Sequence, residues 1–166
     1  MTAKASIHLV PDDEFAEVVD ETRRDLIAQH HNLYVSLSRW ARINTEAKDT
    51  EVATANLKEA GQVLRKIHYL ETDEVLPDDH KAERTITADE LTAANVTIIE
   101  QLKRETASLG ILVDMNRAMG DQALAERQES AKRKAFVKLR IAQGGIKGKR
   151  AAEVGISGVM ETKGSA

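Results

Sequence analysis

Apolar side chains recur at steps of four and seven along the first third of the chain: Phe15, Val19, Leu26, Leu33 and Leu37, with Thr22, His30 and Trp40 near the same stripe. That spacing puts them on one face of a helix and predicts a seam from about residue 12 to residue 43. Pro11 suits the start of this helix, and Asp12, Asp13 and Glu14 complement the positive end of its dipole. A second apolar face, Val52, Leu57, Ala60, Val63, Leu64, Ile67 and Leu70, predicts a helix over about 49–74 with Asp49 or Thr50 as its cap. Only residues 44–48 separate the two. A connection that short implies an antiparallel helical hairpin.

Residues 71–84 hold Pro77 and the polar run Asp78-Asp79-His80-Lys81, and read as the longest interior loop. Thr87-Ala88-Asp89-Glu90 then matches a capping box, in which Thr87 reaches forward and Glu90 back to satisfy free amides. Leu91, Ala94, Ile98, Leu102, Leu109, Val113 and, less cleanly, Met119 and Leu124 carry the next apolar stripe. Gly110 and Gly120 weaken this helix, and a break or kink is expected near residue 120, with helix resuming over 121–142. The first segment, Ala5 to Val10, could be a short extended arm. Its polar–apolar alternation resembles the opening of a ribbon–helix–helix protein, with Lys4, Ser6 and His8 facing bases. The following helix lacks the tight turn that such a fold needs, so an arm over 1–11 is the reading preferred.

Composition supports helices. Ala occurs 23 times in 166 residues, only two prolines are present, and no glycine precedes Gly61. Six of the nine glycines fall after residue 143 (Gly144, Gly145, Gly148, Gly155, Gly158, Gly164) and mark that stretch as a jointed tail. The expected fold class is therefore all-α: an elongated antiparallel helical hairpin or bundle of coiled-coil character over 12–143, broken at about 75–86, with a flexible basic C-terminal tail over 144–166. Narrow seams of period near 3.5 also suit association with further copies of the chain.

Cysteine is absent, which excludes a disulfide scaffold, thiol catalysis, Cys-ligated zinc and iron–sulfur clusters. Aromatics are 3 %, too few for an aromatic pocket or a base-stacking platform. No apolar run approaches the ~18 residues of a membrane span, and residues 1–10 lack a signal-peptide pattern. A cytoplasmic protein is expected, virion-associated if phage-encoded.

Charge is distributed unevenly. Residues 1–131 carry a net −10 and residues 132–166 a net +7. Within 132–150 there are eight cations, Lys132, Arg133, Lys134, Lys138, Arg140, Lys147, Lys149 and Arg150, and no acid. Such a run on an acidic body points to nucleic-acid phosphates, bound through counterion release without base reading. Docking on an acidic protein surface is the competing reading. The Gly144–Arg150 stretch does not have phosphate-loop spacing.

Other chemistry is weak. His30-His31 occurs with neither Glu-x-x-His nor His-Glu-x-x-His, so a metal site is not expected, and His30 reads as a hydrogen-bonded histidine beside the seam. Ser36 and Ser38 near His31 do not make a triad, and Gly155-Ile156-Ser157-Gly158 is no nucleophile elbow. The acids Glu71, Asp73, Glu74, Asp78 and Asp79 lack calcium-loop spacing and read as a solvated loop. The pairs Glu17/Glu21 and Asp13/Glu17 read as solubilising charge. The sequence thus points to a non-enzymatic, cofactor-free, homo-oligomeric assembly or accessory protein whose basic segment contacts DNA or RNA. By architectural analogy this suits phage packaging or plasmid accessory factors; a protein–protein adaptor, scaffold or chaperone is the alternative.

Overall fold

A computed structural model describes residues 12–144. The expected arm over 1–11, and Lys147, Lys149 and Arg150 of the tail, lie outside the described residues. All regular structure among the described residues is helical: α1 Asp12–Glu46, α2 Thr50–Thr72, α3 Ala88–Ala118 and α4 Gln122–Gln143. None of these helices is long and apolar enough to cross a membrane.

The α1–α2 turn is tight. Lys48 adopts φ 61°, and the Asp49 amide donates back to the Asn44 carbonyl at 2.8 Å. Asp49 occupies the N-cap position of α2, but its carboxylate does not cap the helix; it reaches Lys138 of α4 instead. Asp73 ends α2 in the left-handed conformation. The capping box forms at α3, with Glu90 N donating to the Thr87 hydroxyl at 3.2 Å and Thr87 N to the Glu90 carboxylate at 2.8 Å. Near residue 120 the chain reverses fully, sharper than a kink. Gly120 sits at φ 80°, where a side chain would be strained, and the Asp121 side chain accepts from Leu124 N to start α4.

Helices α1 and α2 form one antiparallel hairpin and α3 and α4 another, with α1 lying across both α3 and α4. Two apolar clusters sit between them. One joins Tyr34, Val35 and Leu37 to Val63, Leu64, Ile67, Ile86 and Leu91. The other joins Ile43 to Ile98, Leu102, Leu139 and Ala142, with Trp40 against it. Full burial along α1 begins at Tyr34, with Ile27 half-buried against the first cluster. The upper part of the expected seam, Phe15, Val19, Leu26 and Leu33, is exposed among the described residues. Length accounts for Phe15 and Val19: α2 ends beside Arg23, whose guanidinium donates to the Leu70 carbonyl at 2.9 Å and to Asp73 at 2.8 Å, and residues 12–22 project beyond it, whereas Leu26 and Leu33 lie alongside α2 and are still exposed.

Polar ties lock the hairpins together. Arg84 Nε donates to His31 Nδ1 at 2.8 Å, so Nδ1 must be the bare nitrogen, and His31 Nε2 donates to Glu90 at 2.8 Å. Arg84 also meets Glu71 at 2.7 Å, which brings the end of α2, the loop, α1 and the start of α3 into one chain of bonds. Burial of Glu90 opposes ionisation, but bonds from the Thr87 amide and from His31 outweigh it and hold the carboxyl below its ordinary range. His30 donates from Nδ1 to the Leu26 carbonyl at 2.7 Å, a satisfied helix histidine as its position implied. The loop acids Asp73, Asp78 and Glu71 each pair with an arginine (Arg23, Arg65 and Arg84).

Candidate nucleic-acid interface

Helix α4 presents the cations. It packs on the bundle through Ala125, Ala135, Leu139 and Ala142, small or apolar residues at helical spacing. The remaining faces therefore point away from the core and carry the charge. No carboxylate occurs between residues 130 and 144, where Lys132, Arg133, Lys134, Lys138 and Arg140 lie.

These five side chains have different surroundings. The Lys138 ammonium lies 2.8 Å from Asp49, and its side chain is only 15 % exposed. That bond, opposed by partial desolvation and helped by the Lys138 and Lys134 charges, holds the Asp49 carboxyl below its ordinary range. Lys138 is a structural tie between α4 and the α1–α2 turn. Arg133 stands 3.8 Å from Glu129, a long contact on a side chain 78 % exposed. Arg140 lies over the Phe136 ring at 5.2 Å and is exposed. Lys132 runs across Gly110 of α3; a β-carbon there would meet the Lys132 Cε at 3.7 Å. Among the described residues no carboxylate lies within ion-pair distance of Lys132, Lys134 or Arg140.

A pocket of about 250 Å³ opens between Arg133, Lys134 and Lys138 on one side and Ala47, Lys48 and Asp49 on the other. Lys48 is the residue that sequence reading missed. It stands 84 positions before Lys132 in the chain, and only the packing of the α1–α2 turn on α4 brings it there. Three cations, Lys48, Arg133 and Lys134, beside a Lys138–Asp49 pair that carries no net charge, make this rim attractive to an oxyanion.

The end of α4 is held by a second feature the sequence did not disclose. Arg39 of α1 is 2 % exposed and donates from Nε to Asn95 Oδ1 at 2.7 Å, and Asn95 donates to the Ala142 carbonyl at 2.9 Å. Burial, and the neighbouring Arg42 charge, push the Arg39 guanidinium down to about 10. The bond chain fixes the last turn of α4, from which the basic tail departs.

No three His, Asp or Glu side chains converge to hold a metal among the described residues. Glu17, Glu21 and Asp13 are exposed, as solubilising charge would be. Comparison with protein-family models, with curated proteins and with solved structures found no match.

Proposed function

We propose that the chain is a non-enzymatic, homo-oligomeric helical assembly or accessory protein whose basic C-terminal segment, α4 with the tail after it, contacts nucleic-acid phosphates. The observation that carries this reading is the acid-free cationic face of α4, on which Lys132, Lys134 and Arg140 have no carboxylate partner among the described residues. A structural basic segment would be matched to acids of its own subunit, as Lys138 is to Asp49. Phosphate binding needs cations left exposed on a rigid support, and the Arg39–Asn95–Ala142 chain supplies the support. Such a protein would act where nucleic acid is handled, in the cytoplasm or in a virion if phage-encoded.

The test is a salt titration of duplex DNA and of RNA binding by the full chain. Log K should fall linearly with log salt, by about 0.9 per neutralised phosphate on duplex DNA. Replacing Lys134 and Arg140 with Ala should flatten the slope by about 2 on the same scale, whereas Lys138→Ala, which removes a group already neutralised, should change it by well under 1. Absence of binding at low salt overturns the reading. A second reading, an adaptor that docks this face on an acidic protein, is favoured by Phe136 and Val137, which are 46 % and 47 % exposed between the cations. Phosphates have no use for apolar surface, and a protein partner does.

A further inference from the structure

The exposed upper half of α1 meets, at the same end of the molecule, a groove that none of the described residues fills. Residues 12–22 project beyond α2 as a helical arm of about 16 Å at 1.5 Å per residue. On it Phe15, Val18 and Val19 are 59 %, 54 % and 39 % exposed, spaced to share one side of the helix. The charge on the arm is acidic: Asp12, Asp13, Glu14, Glu17, Asp20 and Glu21, with no base among residues 12–22.

Just below the arm, an apolar groove of about 350 Å³ lies between α1, the end of α2 and the loop. Leu26, Tyr69, Leu70, Val75 and Leu76 line it, and Val75 is 77 % exposed. Two cations, Arg65 and Lys66, stand at its rim beside His30. Asp78 answers Arg65 at 2.9 Å, and Lys66 stands exposed.

An acidic amphipathic helix and an apolar groove with a cationic rim are complementary in both shape class and charge. The arm cannot enter its own groove, because α1 is one unbroken helix from Asp12 to Glu46 and carries the arm away from Tyr69 and Val75. The groove of a second copy is within its reach.

We infer that the α1 arm of one copy docks in the α1–α2 groove of a second copy, Phe15, Val18 and Val19 on Leu26, Tyr69 and Val75, making a two-fold dimer. Arm and groove lie at the same end, so the exchange is reciprocal and closes at two copies instead of running on as a filament. Most of the burial is apolar, and the arm's acids meet Lys66 at the rim. This deepens the homo-oligomer half of the reading above and rests on it, while the cationic face of α4 lies on another part of the molecule.

The experiment is the mass of the full chain in solution by light scattering, at concentrations up to about 200 µM. The wild type is expected at twice the chain mass. Phe15→Glu with Val19→Glu disables the arm, and Tyr69→Glu with Val75→Glu disables the groove. All four positions are exposed in the single chain, so each variant should keep its helical circular dichroism. Each variant alone should be monomeric, and an equal mixture should recover dimer, because one intact arm then meets one intact groove. A wild type at chain mass throughout overturns the inference. So does a groove variant that stays dimeric, which would place the interface elsewhere, and so does a mixture that stays monomeric. DNA binding by the same variants, measured separately, should be unchanged for monomer-level contact with short duplexes. Its loss in the wild type would sink the nucleic-acid reading without touching the dimer.

Discussion

Asn95 shows how one residue couples two ends of the fold. Its carbonyl accepts from the buried Arg39 guanidinium, and its amide donates to the Ala142 carbonyl. Arg39 is charged at neutral pH despite burial, and its lowered proton affinity is a cost the fold carries. Asn95→Leu removes both bonds and leaves a buried cation less well answered. We expect a loss of about 2 kcal/mol in urea unfolding, since breaking a buried charge's hydrogen bond costs more than losing a neutral one. Arg39→Met in the same chain should restore part of that loss, because the charge that Asn95 answered is then gone. Two independent, additive losses would show that Asn95 and Arg39 do not act together.

At the level of elements, the signals that were readable are local ones. The Thr87–Glu90 capping box forms with both bonds in place, and the short 44–48 connection does produce an antiparallel hairpin. Thr87→Ala should cost about 1 kcal/mol, the usual worth of such a cap. Because Glu90 also holds His31, Glu90→Ala should cost more than Thr87→Ala, and equal losses would mean that the His31 bond contributes nothing. What the sequence did not disclose depended on distance along the chain. The stripe Phe15, Val19, Leu26 and Leu33 is periodic whether or not another helix covers it, and the length of α2 decided that its first two members are bare. The basic run was legible as a run, but its division was not. Lys138 is neutralised by Asp49, Arg140 keeps its charge over the Phe136 ring, and Lys48 joins from the far side of the fold. Helical spacing reports a face, and the identity of the neighbour across that face comes only from tertiary packing.

In the whole molecule, two hairpins are held in register by a few polar ties, and two of these use carboxylates that folding makes more acidic. Asp49 ties the α1–α2 turn to α4, and Glu90 ties the start of α3 to α1. Both have folded-state values below their ordinary ones. For an acid shifted that way, the stability it adds is fully present above the unfolded-state value and is lost as pH falls through the folded-state one. The bundle should therefore hold its stability from neutrality down to about pH 5 and lose it below about pH 4, where ordinary carboxylates titrate. Asp49→Asn separates this from general acid unfolding. It removes the partner of Lys138, whose side chain is 15 % exposed against 26 % for Asp49, and should cost about 1 kcal/mol at pH 7, the upper range for a partly shielded pair. As pH falls through the lowered folded-state value the wild-type carboxyl takes up its proton too, so the deficit of the variant should narrow toward acid pH. Urea unfolding at pH 7, 5 and 3 checks this. A deficit that stays constant across the three would mean that Asp49 supports the turn by its shape, and that the charge linking it to α4 adds nothing to the union of the hairpins.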